Sequence, residues 1–547
     1  MTRTKFVLAG LMIAGLQSTS ATAYEYRFEL ADLIDLAPAG AFETTATTEA
    51  IKARVESLLG GDVVGDDERA IALYYETRGY QPEWTAEGRL TPAAQAVIFR
   101  IGRADFDGLD PRAYLVPDIY LGRTTPASVE ELAEAEIMLS RAILAYGHDA
   151  AIGRLDPGSI SPNIGYRPTA PNPIQILVDV SDAVRPADAL AAYNPTNPAF
   201  IALRQQLALE RSKPAAELGI QVPAGRLLRP GTSDERVVAL RQRLEVSTDV
   251  AEPEVFDAEL VAAVRVFQET NGLNADGVVG PNTYAALNGE EPANRVNEII
   301  ANLEQLRWLP RDLGNFYVHV NVPNFSLEVR KDGDIFHETR VVVGTVDNQT
   351  PIFADQIEHI VVNPYWNVPS SITGNELLPI IRRDPGYIAR NNYQVFGRGG
   401  QLDPYSVDWS QVSASSVSIR QRPGAGNALG EVKFLFPNQY SVYLHDTPSK
   451  NLFNNPVRAY SHGCMRVQNP WDFAAALLDH EPDMSFEGLR GQIGGGEKWN
   501  NLSTPIPVYI TYFTAFVDKD GELVFRNDIY GHTARIEEAL GLDSPTI

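Results

Sequence analysis

The chain has 547 residues, of which 44% are apolar and 21% charged; 46 Lys and Arg stand against 70 Asp and Glu, a net charge of −24. At one domain per ~150 residues, that length predicts three or four domains, and the apolar share lets each build a core. The acidic excess repels phosphate-rich surfaces, which excludes a general binder of nucleic acid or of anionic membranes. At the N-terminus, Arg3 and Lys5 precede the apolar run Phe6 to Leu16, and Ala21-Thr22-Ala23 offers small residues for cleavage. This predicts a leader over 1–23, removed near Ala23, and export of the rest. Eleven apolar residues fall short of the ~20 that span a bilayer, and no later stretch is long and apolar enough. No membrane span is expected after cleavage.

Thr- and Ala-rich residues 37–50 read as a loose lead-in to a helical scaffold domain spanning 24–226. Its helical signals include Ala70 to Tyr75 and Glu131 to Tyr146, where Leu132, Ile137, Leu139, Ile143 and Leu144 suit one buried face. Pro- and Asn-rich stretches at 161–174 and 194–198 interrupt it. Residues 227–290 form a compact module. Val237, Leu240 and Leu244 recur at helical spacing, as do Leu260, Val264 and Phe267, with turns at Asn271-Gly272 and Asp276-Gly277. A linker helix is expected over 291–315. From 316 to 535 the pattern turns to strands, beginning with an alternating hairpin around Lys331-Asp332-Gly333. Within it, 370–430 is irregular and rich in Gly, Pro, Asn and Ser, and reads as an inserted lid; a plain surface loop is the alternative. A tail covers 536–547. The fold class is therefore α+β multidomain.

The chain has one cysteine, Cys464, which cannot be an internal disulfide staple. It is either an inert thiol or one kept for chemistry, and its neighbours decide. The stretch 442–470 puts His445 at the end of a predicted strand, then a polar loop, then Ser461-His462-Gly463-Cys464-Met465-Arg466. Nineteen residues separate His445 from Cys464, enough for a loop to return and set them side by side. A free thiol with a pKa of ~8.5 is mostly protonated at neutral pH, so a nucleophilic sulfur needs a base such as an imidazole. Gly463 lets the backbone approach a substrate closely, and nearby amides can face an oxyanion. Arg466 adds a fixed charge that could lower the thiol pKa, hold a substrate carboxylate or orient a loop. His148, His319, His337, His359, His480 and His532 lack metal-ligand spacing, and no HExxH or paired-Cys zinc pattern occurs. Tyr365, Trp366 and Tyr443 lie near the strands that carry the chemistry, and most such aromatics are core.

These residues resemble the L,D-transpeptidase catalytic domain, whose signature is an upstream His, a loop, then Ser/Thr-His-Gly-Cys-x-Arg. "NPYWNVP", "PGAGNALGEVKFLFPN", "YLHDTP" and "SHGCMRV" carry the likeness in the catalytic part. "YYETRGYQPEWTAEGRL" and "DGLDPRAYLVP" resemble the scaffold of that family's long-scaffold branch. Residues 227–289, with "AVRVFQ" and "DGVVGPNT", resemble the peptidoglycan-binding type 1 domain, a three-helix module. The likeness covers most of 65–535. It implies a helical scaffold, a peptidoglycan-binding module and a β-rich catalytic domain with an inserted lid, in a periplasmic protein without a cofactor or metal.

Carried over residue by residue, the resemblance makes Cys464 the nucleophile and His445 the proton donor and acceptor, oriented by the Asp446 backbone carbonyl. His462 and Gly463 fall on the oxyanion loop. Ser461 and Arg466 become structural or substrate-facing; Tyr443 and Trp366 are candidate substrate contacts from their place near these strands, with core packing as the alternative. The implied reaction attacks a peptidoglycan stem at its third residue, releases D-Ala, passes through a Cys464 thioester and ends in a 3→3 cross-link. The partners would be stem peptides, with the scaffold and lid as surfaces for wall-synthesis proteins and Cys464 as a target of carbapenems. Three rivals remain. The acyl-enzyme can pass to water or another amine, giving a carboxypeptidase, an endopeptidase or a protein-to-wall linker. A metallopeptidase can use His445, His462 and Cys464 as ligands. A non-catalytic peptidoglycan-binding protein would need only residues 227–289.

Overall fold

The computed structural model of the chain describes residues 44–61, 64–118, 126–213, 220–223, 225–270, 275–288 and 292–542. The expected leader at 1–23 and the Asn271-Gly272 turn lie outside them. Among the described residues, no helix is long and apolar enough to cross a membrane.

Two compact units divide the chain and cut across the expected scaffold: one holds residues up to 89 with 117–141, the other 90–116 with 142–547. The first contains the helices Ala46–Leu59 and Asp66–Thr77 and the first half of Val129–Ile152. Thr45 caps the first helix by accepting the Thr48 amide at 3.2 Å. Glu136 is buried in this unit, and burial raises its pKa. Its carboxylate accepts hydrogen bonds from the Tyr75 hydroxyl (2.7 Å), the Thr85 hydroxyl (2.7 Å) and the Trp84 and Thr85 amides. So many donors are what make a buried carboxylate tolerable.

The second unit is built on nine strands: β1 Phe316–Asn321, β2 Ser326–Lys331, β3 Asp334–Gly344, β4 Ala354–Val362, β5 Val432–Leu435, β6 Leu444–His445, β7 Ala459–Ser461, β8 Met465–Val467 and β9 Lys498–Thr511. The β2–β3 turn takes positive φ at Asp332 (52°) and Gly333 (92°), as a two-residue hairpin turn with strand-matching twist requires. The sheet runs β7-β3-β8-β6-β5-β4-β9-β1-β2, and the pairing of β2 with β3 closes it on itself. The pairs β6–β8, β7–β3 and β9–β1 are parallel. Val318, Val320, Leu327, Val329, Val341, Val343, Ile360, Val508 and Ile510 are all buried, the alternate positions of each strand turning inward.

The helix Pro292–Arg307 is not the linker expected at 291–315. Ile299, Ala301, Leu303 and Leu306 join Phe200, Leu203 and Leu207 of the helix Pro198–Ser212 and the strand residues in one core. Its polar side chains are buried as well. Asn302 exchanges two hydrogen bonds of 3.0 Å with Thr514, and Glu304 accepts the amides of Arg154 (2.7 Å) and Leu155 (2.9 Å). From Ile299 to Arg307 every residue of the helix is buried, while Arg295 to Glu298 stay partly exposed. The local pattern could not reveal this, because a helix with polar residues on its second face reads as surface-facing. The scaffold reaches the strands again at Ile164, which bridges Ile352 in parallel, with the Gly165 amide donating to the Ile352 carbonyl at 2.7 Å. At the other end, the helix His532–Leu540 runs through the expected tail boundary at 535.

The module expected at 227–290 has its three helices, Arg236–Arg243, Ala258–Thr270 and Pro281–Asn288, around Val222, Leu228, Val237, Leu240, Phe256, Leu260, Val264 and Leu287. The stretch expected as a lid is folded. Strands Trp366–Asn367, Tyr393–Gly397, Gly400–Leu402 and Ser418–Gln421 form a four-stranded sheet. With short helices between Ser370 and Arg390, they enclose Leu377, Leu378, Ile381, Ile388, Val395, Trp409 and Ile419. Its Gly, Pro and Asn mark turns between short elements rather than a loose loop.

Candidate active site

Two strand pairings assemble the site. β6 runs antiparallel to β5, with His445 opposite Lys433, and parallel to β8, with Leu444 opposite Met465 and His445 opposite Arg466. The Met465 amide donates to the Tyr443 carbonyl at 3.1 Å, which continues that pairing back to Cys464. Leu444 and Met465 are fully buried on the core side. Period-two alternation then puts Tyr443, His445, Cys464 and Arg466 together on the opposite face. Cys464 and His445 are diagonal neighbours there, a backbone separation of roughly 7–8 Å that side chains can bridge.

His445 is buried, and its Nδ1 lies 2.5 Å from the Asp446 carbonyl oxygen. A carbonyl only accepts, so Nδ1 carries the proton, and in the neutral ring Nε2 keeps its lone pair. Asp446 is itself fixed. Its carboxylate accepts the amides of Glu431 (2.9 Å) and Thr447 (2.7 Å) and the Lys450 Nζ (2.6 Å). It fills the space beside Gly430, whose φ is +61° and where a Cβ would come within 2.2 Å of the carboxylate.

The loop Ser461-His462-Gly463-Cys464 is tied down by hydrogen bonds. The Ser461 hydroxyl donates to the Cys464 carbonyl (2.5 Å) and accepts the Gly463 amide (3.2 Å). The Thr350 hydroxyl donates to the Gly463 carbonyl (2.8 Å) and accepts the Gly344 amide (2.8 Å). Tyr530 donates to the Gly344 carbonyl (2.6 Å) and accepts the Thr350 amide. Gly463 has φ +106°, a conformation closed to other residues without strain. Its amide is committed to Ser461, whereas that of Cys464 has no acceptor among the described residues.

Burial favours the neutral forms of both His445 and Cys464. Burial, then the Arg466 charge, lowers the His445 pKa to about 3, and Lys433 adds to this. Burial pushes the Cys464 thiol up to about 11, against the lowering effect of Tyr443 and Arg466. The thiol's contacts are with the backbone and phenol of Tyr443, whose ring packs edge-on against His445 with centroids 5.7 Å apart. Cys464 still keeps part of its surface open.

The structure brings Cys464, His445, Asp446, Ser461, Gly463, Arg466 and Tyr443 together. It does not bring His462 and Trp366. His462 is exposed, turns away and sets Nε2 2.6 Å from Glu376 Oε1 of the insert. Trp366 belongs to the insert's own cluster, 6.3 Å from the Tyr393 ring centroid. No group of three His, Cys, Asp or Glu side chains suited to a metal occurs among the described residues.

Sequence reasoning missed Lys433, Trp499 and Thr350. Lys433 is buried, its Nζ 3.9 Å from Glu497 Oε1 and 5.6 Å from the centroid of the exposed Trp499 ring. A lysine amid an alternating apolar strand, as in Val432-Lys433-Phe434, was its available signal. Thr350 had none, being 113 residues from Gly463.

Comparison with known proteins places three families along the chain: the "L,D-transpeptidase catalytic domain" over 315–493, the "Putative peptidoglycan binding domain" over 233–287 and the "Scaffold domain" over 69–207. The chain thus carries an L,D-transpeptidase catalytic domain, a peptidoglycan-binding type 1 domain and an N-terminal scaffold domain. It is 36% identical over 253 residues to a "Putative L,D-transpeptidase" of Haemophilus influenzae, a match covering 45% of this chain and 50% of the relative. The chain therefore spans about half the length of the curated relative it matches. Among solved structures, it is similar to an L,D-transpeptidase of Xylanimonas cellulosilytica (17% identity, 53% of this chain and 99% of that one, TM-score 0.17). It is similar also to an L,D-transpeptidase of Mycobacterium smegmatis (13%, 36% and 58%, TM-score 0.19). Overlaps of that size bear no weight for the fold or the reaction.

Proposed function

We propose that the chain is a periplasmic peptidoglycan L,D-transpeptidase that forms 3→3 cross-links through a thioester on Cys464. The observation that carries this reading is the parallel β6–β8 pairing, which sets His445 and Cys464 on one face with Nδ1 held by the Asp446 carbonyl.

Nε2 of His445 takes the thiol proton as Sγ attacks the carbonyl of the third stem residue. The C–S bond forms, the C–N bond to D-Ala breaks, and the imidazolium protonates the departing amine. The amine of a second stem then attacks the thioester; C–N forms, C–S breaks, and the proton returns to sulfur by way of His445. The free amide of Cys464 suits it as an oxyanion donor. Arg466 and Lys433 give an acidic chain a local positive field for carboxylate-bearing stems. The insert, joined to the nucleophile loop through Glu376 and His462, would keep water from the thioester.

The test is mass spectrometry of muropeptides incubated with wild type, Cys464→Ala and His445→Ala. Dimers joined 3→3 with released D-Ala, absent in Cys464→Ala, support the reading. Release of D-Ala without dimers makes the chain a carboxypeptidase, cleavage of existing dimers an endopeptidase, and a stem-linked protein product a wall-attachment enzyme. Full turnover by Cys464→Ala would remove the thiol from the mechanism. Intact-mass detection of a carbapenem adduct on Cys464 is a second check on the same sulfur.

A further inference from the structure

One row of residues crosses five strands of the sheet. The register sets Arg466 opposite His445, His445 opposite Lys433, Lys433 opposite Val361 and Val361 opposite Trp499. Residues opposite one another in a ladder share a face, so all five side chains stand on the side that carries Cys464. Trp499 ends the row, 54% exposed, with the His359 ring edge-on against it at 5.4 Å. The face that holds the thiol thus continues past His445, by way of Lys433, to an open indole.

The ammonium of Lys433 is poorly served by its own chain. Nζ stands over two rings, 5.9 Å from the Tyr443 centroid and 5.6 Å from that of Trp499. Its ion-pair partner Glu497 is 3.9 Å away, beyond hydrogen-bond reach. That carboxylate is engaged elsewhere: Oε1 accepts the Tyr365 amide at 2.8 Å and Oε2 the Trp499 indole N–H at 3.3 Å. No hydrogen bond from Nζ occurs among the described residues, although an ammonium can donate three. Burial lowers its pKa, and Glu497 only opposes this. Yet the side chain keeps 9% of its surface, and Nζ is not among the nitrogens sealed from solvent without a partner. An acceptor from outside can reach it.

We propose that Lys433 is a specificity-determining residue of the donor site, its ammonium receiving a carboxylate of the bound stem while Cys464 holds the scissile carbonyl. The identity of the donor rests on the thiol reading; the open ammonium does not. Lys433 lies two strands from Cys464, at ~4.8 Å per strand about 10 Å, a span that one stem residue and its side chain cover. A carboxylate there supplies the acceptor that Glu497 does not, and a charge-assisted hydrogen bond is the strong kind. Arg466 and Lys433 flank His445 from its two neighbouring strands, and both charges disfavour the imidazolium. An anion on Lys433 offsets one of them, so a correctly charged donor strengthens the base it needs.

The experiment uses the full chain as Cys464→Ala, so that no turnover occurs, with Lys433→Met and Lys433→Arg added to it. The probes are a soluble disaccharide-tetrapeptide and versions of it amidated at one carboxylate each, with calorimetry reading Kd. Lys433→Met should weaken the parent stem about tenfold at an unchanged melting temperature, and Lys433→Arg should recover most of that. One amidation should cost about tenfold with Lys433 present and nothing further in Lys433→Met; the others should cost the same in both. Parent-stem binding untouched by Lys433→Met would overturn the proposal. So would a loss that adds in full to every amidation, or one that arginine does not recover. D-Ala release by the wild type is read separately. Its absence sinks the thiol reading, whereas release with an uncoupled Lys433 sinks only the role of the lysine.

Discussion

The catalytic face and the insert beside it are built on opposite terms. His445, Asp446, Ser461, Gly463 and Cys464 are braced by hydrogen bonds among themselves and from Glu431, Lys450 and Thr350, the last held in turn by Tyr530. The insert has its own small core and reaches the nucleophile loop through Glu376 and His462, both exposed. An exposed pair of that kind adds only ~0–1 kcal/mol. The lesson is a difference in bracing: the centre is held by many internal hydrogen bonds, while the insert is folded around its own core and meets the loop through one exposed ion pair.

The largest effect should come from the centre. Cys464→Ala should abolish D-Ala release while circular dichroism and melting temperature stay close to wild type, since a part-open thiol carries little packing. His445→Ala should lower kcat by ~10²–10⁴ in stopped assays. Gly430→Ala should cost about 1–3 kcal/mol in urea unfolding, because the new Cβ meets the Asp446 carboxylate at positive φ, and activity should fall with it. If Gly430→Ala behaves as wild type, the bracing of His445 through Asp446 is not what holds the centre.

pH separates the two regions next. The folded thiol titrates near 11, so iodoacetamide labelling of Cys464 in the resting enzyme should be slow at neutral pH and climb only above pH 9. The folded His445 pKa is depressed to about 3, and an unfolded imidazole protonates near 6.5. The unfolded state therefore binds more protons between those values. Stability should fall as pH drops through that window, less steeply in His445→Gln. Fast labelling at pH 7 would mean a thiolate already formed. The smallest effect belongs to the insert: Glu376→Gln should leave the unfolding midpoint unchanged and shift the ratio of hydrolysis to cross-linking only a few-fold, read by muropeptide analysis.

Much of the centre was legible in one dimension. A lone cysteine inside Ser-His-Gly-Cys-x-Arg, with a histidine at a strand end upstream, singled out Cys464 and His445 as candidates, and the family resemblance supplied their proposed roles. Helical and alternating periods marked the three-helix module and the β1–β3 hairpins, since both depend on contacts a few residues apart. Other features required distant segments to meet. Only the fold decided that β6 would pair in parallel with β8, that Thr350 and Tyr530 would brace Gly463, and that Lys433 would lie opposite His445. It likewise turned His462 toward the insert, gave the insert its own core, and buried the supposed linker helix from Ile299 on. Local periodicity reports which way a side chain faces along its own element. What it faces is set by pairing and packing across the chain.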